Sequence, residues 1–366
     1  MTEQLRLGYL VLADISGYTS FLAKVEIEHA HEILTDLLET LVKRFQSLLT
    51  ISKLEGDAVF AFVEENKVPR GETVLELIES TYADFRQRRD TSKRVTTCNC
   101  RACQSMPSLE LKFFVHYGSF MVQHVAGIRE LLGSDVNLIH RLTKNHITDQ
   151  TGWRAYALFT QRALETTQLE LEDVHEQMET YEHLGDIETV TIDLLPRYDI
   201  LIAKNIYFIP LEEADANASH TYKLSDAELW QVITSTDILN AVERNRVTWS
   251  PLNRPGGRTG IGASNHCAHS KGFYRETIVD WHPFHYYTGH GVGGPFAFYA
   301  MYEITPLADG QGSVLTNRWK MDPKLPRWIC KLFGALVVKK GLSDYLQRIE
   351  TYIENAPQPT FQEETA

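Results

Sequence analysis

An apolar run from Tyr9 to Ala13 stops at a single carboxylate, Asp14, and passes into the turn Ile15-Ser16-Gly17. A short apolar run bounded by a turn predicts a buried strand that carries Asp14 at its end. Glycine at 17 permits a tight turn and close approach of a bound group. Residues 26–49 place Ile27, Ala30, Ile33, Leu34, Leu37, Leu38, Leu41, Phe45 and Leu48 at helical spacing, so an amphipathic helix is expected. Residues 53–62 read as two short strands turning at Gly56-Asp57, and 72–87 as a second helix. The stretch 88–107 is polar and predicts a loop or insertion. Residues 109–116 alternate like a strand, 135–144 read as a helix, and 152–160 and 189–194 as further strands.

Composition shifts around Pro196 to Pro210, and 211–220 reads as a linker or exposed loop. Ser225 with Glu228 then predicts a helix opened by a capping box. Residues 247–319 hold strand-like runs rich in aromatic residues, His and Gly. The chain finishes on a long amphipathic helix at 328–354. Its stripe of Trp328, Ile329, Leu332, Phe333, Leu336 and Val337 reads as the lid of its own core. Membrane contact aided by Lys339 and Lys340 is the alternative. The expected organisation is a first domain over 1–195 with an insertion at 88–107, a linker over 196–220, a second domain over 221–356, and a tail at 357–366. The fold class is α+β.

A chain of 366 residues is too long for one small domain and suggests two. Its 43% hydrophobic and 23% charged residues are ordinary for a soluble globular protein. The net charge of −12 argues against nucleic acid or an anionic membrane as the main partner, but not against a nucleotide held by a metal and local cations. Met1-Thr2-Glu3-Gln4 shows no secretory signal, and no apolar run reaches the roughly 18–20 residues of a membrane span, so a cytoplasmic protein is expected. Three of the five cysteines, Cys98, Cys100 and Cys103, lie close together. In a reducing compartment such thiolates suit Zn²⁺. The fourth ligand would be His116, His124, a water or a residue of another subunit. The alternative is three free thiols in a loop. Two carboxylates brought together at strand tips, Asp14 and Asp57, suit Mg²⁺ or Mn²⁺. Taken singly, each reads as an ordinary turn residue.

Ala13-Asp14-Ile15-Ser16-Gly17-Tyr18-Thr19-Ser20-Phe21 and Lys53-Leu54-Glu55-Gly56-Asp57-Ala58-Val59-Phe60-Ala61-Phe62 together resemble the metal-binding segments of class III nucleotidyl cyclases. His116-Tyr117-Gly118 is similar to the family's strand-ending turn. The segment from Gly133 through Val136, Asn137 and Arg141 resembles its G-x-x-V-N-x-x-x-R helix. The resemblance covers about residues 7 to 195. It implies a ferredoxin-like core in which the ribose 3′-hydroxyl attacks the α-phosphorus of a nucleoside triphosphate and pyrophosphate leaves. It further implies two Mg²⁺ or Mn²⁺ ions on Asp14, Asp57 and the Ile15 carbonyl, with Gly17, Tyr18 and Thr19 beside the nucleotide. Asn137 and Arg141, on one helix face, would orient the ribose and stabilise transition-state charge. Lys53 and Glu130 fall where the family selects its base and resemble an adenine-reading pair. Leu184 stands where the family has a phosphate-binding lysine; His183 or Lys144 would have to substitute. Because the family's site is built from two catalytic domains and this chain carries each face once, the resemblance implies a homodimer.

The second half resembles the START-like helix-grip fold of the SRPBCC, or polyketide-cyclase-like, superfamily. The resemblance rests on element order, the early Trp230, the Gly-rich turn Gly256-Gly257-Arg258-Thr259-Gly260-Ile261-Gly262, Val279-Asp280-Trp281-His282-Pro283, and Gly310-Gln311-Gly312-Ser313-Val314-Leu315-Thr316. It implies an apolar cavity with Trp249, Tyr286, Tyr287, Phe298 and Tyr302 as candidate lining, for a small apolar or aromatic ligand. Two readings stand: a metal-dependent cyclase, ATP favoured, regulated by that ligand, or a degenerate nucleotide sensor coupled to a lipid- or aromatic-binding domain.

Overall fold

The computed structural model describes residues 5–355 except 24, 26, 69, 96–100, 126–127, 168, 170, 203–206, 245, 270–271, 294–295, 309 and 323–324. The chain forms two compact units, Met1–Ala203 and Lys204–Ala366, both mixed α+β.

In the first unit, β1 (Leu5–Ser16) is followed by α1 (Tyr18–Leu22), α2 (Ile27–Phe45), β2 (Thr50–Glu55) and β3 (Ala58–Glu64). Then come α3 (Glu72–Val95), α4 (Arg101–Ser105), β4 (Glu110–Val125), β5 (Ile128–Leu132), α5 (Ser134–Leu142) and α6 (Ile147–Thr151). β6 (Tyr156–Thr160), α7 (Gln161–Thr167), β7 (Val174–Tyr181), β8 (Gly185–Asp193) and α8 (Leu194–Leu201) complete it. The sheet runs β2-β3-β1-β4-β6-β8-β7, with β5 paired to β4. Its pairs are antiparallel except β4 with β6. The Tyr9–Ala13 run is buried because β1 is central and covered on both faces, which selects an unbroken apolar strand. Leu10 and Leu12 pack with Phe60, Phe114 and the α5 residues Ile139 and Leu142. On the other face Ala13 neighbours Phe113, whose ring lies 6.3 Å from Phe45 of α2.

Two expectations are corrected in this unit. The expected loop at 88–107 begins as the end of α3 and continues, beyond the undescribed 96–100, as α4 and a 3₁₀ turn at Met106–Ser108. Its polar residues are anchors. Arg88 grips Asp36 through two 2.6 Å bonds, and buried Arg89 donates to the Leu109 carbonyl at 2.7 Å and to Glu110 at 2.8 Å. Nor does the strand end at His116-Tyr117-Gly118: β4 runs on to Val125. Gly118 is there because a Cβ would stand 2.5 Å from the Asp135 carboxylate. Within the expected linker at 196–220, α8 packs Tyr198 on Tyr82 and ties Arg197 to Glu79 at 2.7 Å, and residues from 216 form a strand of the second unit.

The second unit comprises β9 (Ala216–Tyr222), α9 (Asp226–Thr234), α10 (Thr236–Glu243), β10 (Val247–Asn253), β11 (Ser264–His269), β12 (Gly272–His282) and β13 (Tyr286–Gly293). It continues through β14 (Phe296–Pro306), β15 (Ser313–Met321), α11 (Arg327–Phe333), a π-turn at Gly334–Val338, and α12 (Lys339–Asn355). The antiparallel sheet runs β10-β11-β12-β13-β14-β15-β9, so the first strand pairs with the last. The Ser225/Glu228 capping box is present as expected. Tyr222 of β9 donates to the Leu346 carbonyl of α12 at 2.8 Å, which holds that helix to the sheet.

The expected cavity lining divides between two faces. Neighbours in a strand point to opposite sides. Tyr286 packs on Phe208 and stacks on His282 at 4.6 Å, whereas Tyr287 stacks on Tyr302 at 4.8 Å and meets Trp230. Trp249 and Phe298 belong with the Tyr287 set, linked through Tyr274. Tyr286 therefore lies on the opposite face of the sheet from Tyr287. The lid expectation fails in part. Cys330 and Gly334 are buried and Phe333 packs on Trp319, but Trp328, Leu332, Leu336 and Val337 face solvent.

Candidate functional site

Asp14 leaves the end of β1 on the face that carries α5, directly opposite Ala58 of β3 and Lys112 of β4. The β2–β3 turn folds Asp57 toward it: Gly56 takes φ 68°, a left-handed conformation that glycine tolerates, and the Ile15 N–H donates to the Asp57 carbonyl at 3.2 Å. Burial, and then the charge of Asp57, lift the Asp14 pKa to about 6, while Lys112 opposes the rise. Burial also raises Asp57, and a backbone hydrogen bond holds it back. Each carboxylate is thus costly to ionise where it stands, and the two repel. A divalent cation between them would offset both penalties, and hard oxygen donors suit Mg²⁺ or Mn²⁺. Asp14 and Asp57 are the side chains that could hold such an ion. Among the described residues no group of three or more His, Cys, Asp or Glu side chains is placed to hold a metal.

Lys112 is the residue that sequence reasoning missed. Its pKa is lowered by burial, although Asp14 pulls it back up, and its Nζ sits 5.1 Å from the centroid of the Tyr156 ring. Nearly a hundred residues separate it from Asp14, so only the β1–β4 register joins them. The signal in the sequence was a single lysine inside the apolar run 111–115.

α5 is pinned at its start by Asp135, which accepts from the Ser119 N–H at 2.6 Å and lies 3.2 Å from His116 Nε2. Burial works against the Asp135 charge, but these partners hold its pKa below the usual carboxylate range. Farther along, His140 lies 3.2 Å from Glu55 and edge-on to Phe60, so α5 rests on the β2–β3 hairpin that presents Asp57. Asn137 and Arg141 lie one turn apart on the exposed side of α5. Among the described residues no hydrogen bond or ion pair joins them to Asp14 or Asp57 in the same chain.

The remaining expected residues fall as follows. Gly17 takes φ 92° and opens α1, with Tyr18 half-buried and Thr19 exposed. Lys53 is exposed and pairs with Glu55 at 2.7 Å, and Glu130 is exposed on β5. Leu184 packs against the core, so its position carries no phosphate-binding cation, while His183 and Lys144 are exposed. His116 is buried, with Nδ1 2.9 Å from the Thr160 hydroxyl and Nε2 3.2 Å from Asp135. Cys98, Cys100 and the side chain of Cys103 lie outside the described residues.

Residues 34–151 match the model of a family described as "Protein of unknown function (DUF2652)". The uncharacterized protein Rv2561/Rv2562 of Mycobacterium tuberculosis is 33% identical over 117 residues, which is 31% of this chain and 52% of that protein. The chain thus spans about half the length of the curated relative it matches. Among solved structures, a bacterial light-regulated adenylyl cyclase is similar over 55% of this chain and 58% of its own, at 15% identity and a TM-score of 0.40. The guanylyl cyclase Cya2 is similar over 52% of this chain and 93% of its own, at 14% identity and a TM-score of 0.41. No helix among the described residues is long and apolar enough to cross a membrane.

Proposed function

We propose that the first unit is a metal-dependent nucleotidyl cyclase-like domain that takes a nucleoside triphosphate, ATP favoured, and works as a homodimer. The observation that carries this reading is the Asp14–Asp57 pair, two mutually repelling carboxylates held together by the Ile15–Asp57 hydrogen bond. Mg²⁺ or Mn²⁺, when bound, would supply charge stabilisation at the phosphates. Asp14 and Asp57 would hold it, and Lys112 beside them would offset charge on a phosphate oxygen. Gly17, Tyr18 and Thr19 would border the nucleotide, and Lys53 with Glu130 would select its base. Asn137 and Arg141 point outward on α5, the disposition expected if they complete the site of a second copy. The test is purified protein with Mn²⁺ and each common nucleoside triphosphate, assayed for cyclic product. Wild type should form it from ATP and Asp57→Ala should not.

One observation favours a second reading, a nucleotide-binding sensor without turnover: Leu184 packs on the core where a phosphate-binding lysine is needed. Absence of cyclic product from every triphosphate, with nucleotide binding retained, would select it. For the second unit we propose a helix-grip domain that takes a small apolar or aromatic ligand and regulates the first. Supporting this are the seven-stranded antiparallel sheet, α12 tied to its β9 edge, and an aromatic face of Trp249, Tyr287, Phe298 and Tyr302. On that face, among the described residues, Trp249 Nε1 and Asn317 Oδ1 are buried without a hydrogen-bond partner.

A further inference from the structure

Exposed apolar side chains are scattered on most surfaces, but here they form a stripe. Trp328, Leu332, Leu336 and Val337 are 69%, 52%, 74% and 59% exposed, and Leu325, just before α11, is 43% exposed. Residues 328, 332 and 336 recur at four-residue spacing, so they share one helix face. The same helix spends its other apolar residues inward: Cys330 is fully buried and Phe333 lies on Trp319. The outward set is therefore surplus to the core.

Two features fix that face outward. Gly334 lies so close to the sheet that a Cβ would stand 2.2 Å from the Asp215 carbonyl, so the helix cannot roll away without losing its seat. The π-turn at Gly334–Val338 adds a residue to one turn, which leaves both Leu336 and Val337 outside. Further apolar side chains crown the same end of the sheet. Phe273, Val292 and Phe296 are 68%, 44% and 55% exposed. Gly293 pairs with Phe296, Phe298 pairs with Met321, and the Asp322 N–H donates to the Ala297 carbonyl at 2.9 Å, so the strand ends that bear Val292 and Phe296 lie beside the end of β15.

Charge selects the occupant. Residues 325–340 contain Arg327, Lys331, Lys339 and Lys340 and no acidic residue, within a chain of net charge −12. Lys331, Lys339 and Lys340 are exposed beside the stripe. Glu213 pairs with Lys320 at 2.6 Å and Asp215 with Arg327 at 3.2 Å, and the Glu212 carbonyl accepts from Lys331 at 3.4 Å. Screening confines the reach of a charge to about 8–10 Å in physiological salt, so the local sign governs what this face meets, and the net charge does not. An apolar stripe led by a tryptophan and flanked by lysines suits the boundary of an anionic lipid bilayer, where the rings and alkyl chains enter the headgroup layer and the ammonium groups meet phosphate.

We propose that this face, from Leu325 to Lys340, is a peripheral membrane-docking surface for anionic lipid. The experiment is flotation of the full chain with phosphatidylcholine vesicles, alone or with about 30 mol % phosphatidylserine. The chain should float with the mixed vesicles and not with phosphatidylcholine alone. Leu336→Asp with Val337→Asp should reduce the bound fraction at least roughly tenfold, and each of Lys339→Ala and Lys340→Ala by about fivefold. All four side chains are exposed, so the variants should melt as wild type does. Failure to float with either vesicle, or equal flotation of wild type and the double aspartate variant, would overturn the proposal. So would a wild-type dimer that the aspartate pair dissolves, since the face would then be covered by a second copy.

Discussion

Replacing Asp14 with asparagine tests the carboxylate pair without asking for catalysis. The folded protein holds Asp14 at about 6 against an ordinary 3.8, through burial and then the charge of Asp57. A tenfold change in proton affinity is about 1.4 kcal/mol, so ionised Asp14 destabilises the fold by up to about 3 kcal/mol. Partial contact with water reduces this to about 1–3 kcal/mol. Because the folded value is raised, the stability is fully present below about 3.8 and is lost as pH rises through 6. The Asp14→Asn side chain keeps the shape without the charge. The variant should therefore match wild type near pH 4 and exceed it at pH 7, by several degrees in Tm, since about 1 kcal/mol moves a domain of this size by roughly 2–4 °C. Adding Mn²⁺ at pH 7 should raise the wild-type Tm and leave the variant nearly unmoved. The assay is thermal unfolding from pH 4 to 8, with and without metal. A variant less stable than wild type at pH 7, or one that keeps the full Mn²⁺ shift, would refute the paired-carboxylate site.

Mixing Asp57→Ala chains with Arg141→Ala chains should restore product formation that neither has alone, because a mixed dimer rebuilds one intact site; the readout is cyclic nucleotide after refolding the mixture, and no recovery would separate Arg141 from a shared site. In the second unit, burial lifts Glu276 to about 7 against the restraint of Asn265 and Arg254, and Gly289 makes room for it, a Cβ there standing 2.5 Å from the carboxylate. Its contribution to stability is therefore full below about 4.5 and falls away as pH rises through 7. Denaturant unfolding should show wild type losing stability relative to Glu276→Gln between pH 5 and 8, and parallel curves would show that the carboxyl is not protonated in the fold.

The sequence by itself determined the local parts. Apolar runs marked β1 and the hairpin, helical spacing marked α2 and α5, and the Ser225/Glu228 box marked α9, because each depends on residues within a few positions of one another. It also marked Asp14, Asp57, Asn137 and Arg141 as site candidates. It could not show the polar end of α3, whose arginines look like loop residues until Asp36 and Glu110 are brought to them. Only the tertiary structure decided that Lys112 stands opposite Asp14, that Tyr286 and Tyr287 serve different faces, and that His116 is held by Asp135 and Thr160. The same is true of the C-terminal helix. Its apolar stripe reads as core from periodicity alone, since periodicity shows that residues share a face but not what lies against it. The seat of Gly334 on Asp215 turns four of the six stripe residues to solvent, and pairing, register and burial between distant segments are decided by how the chain closes on itself.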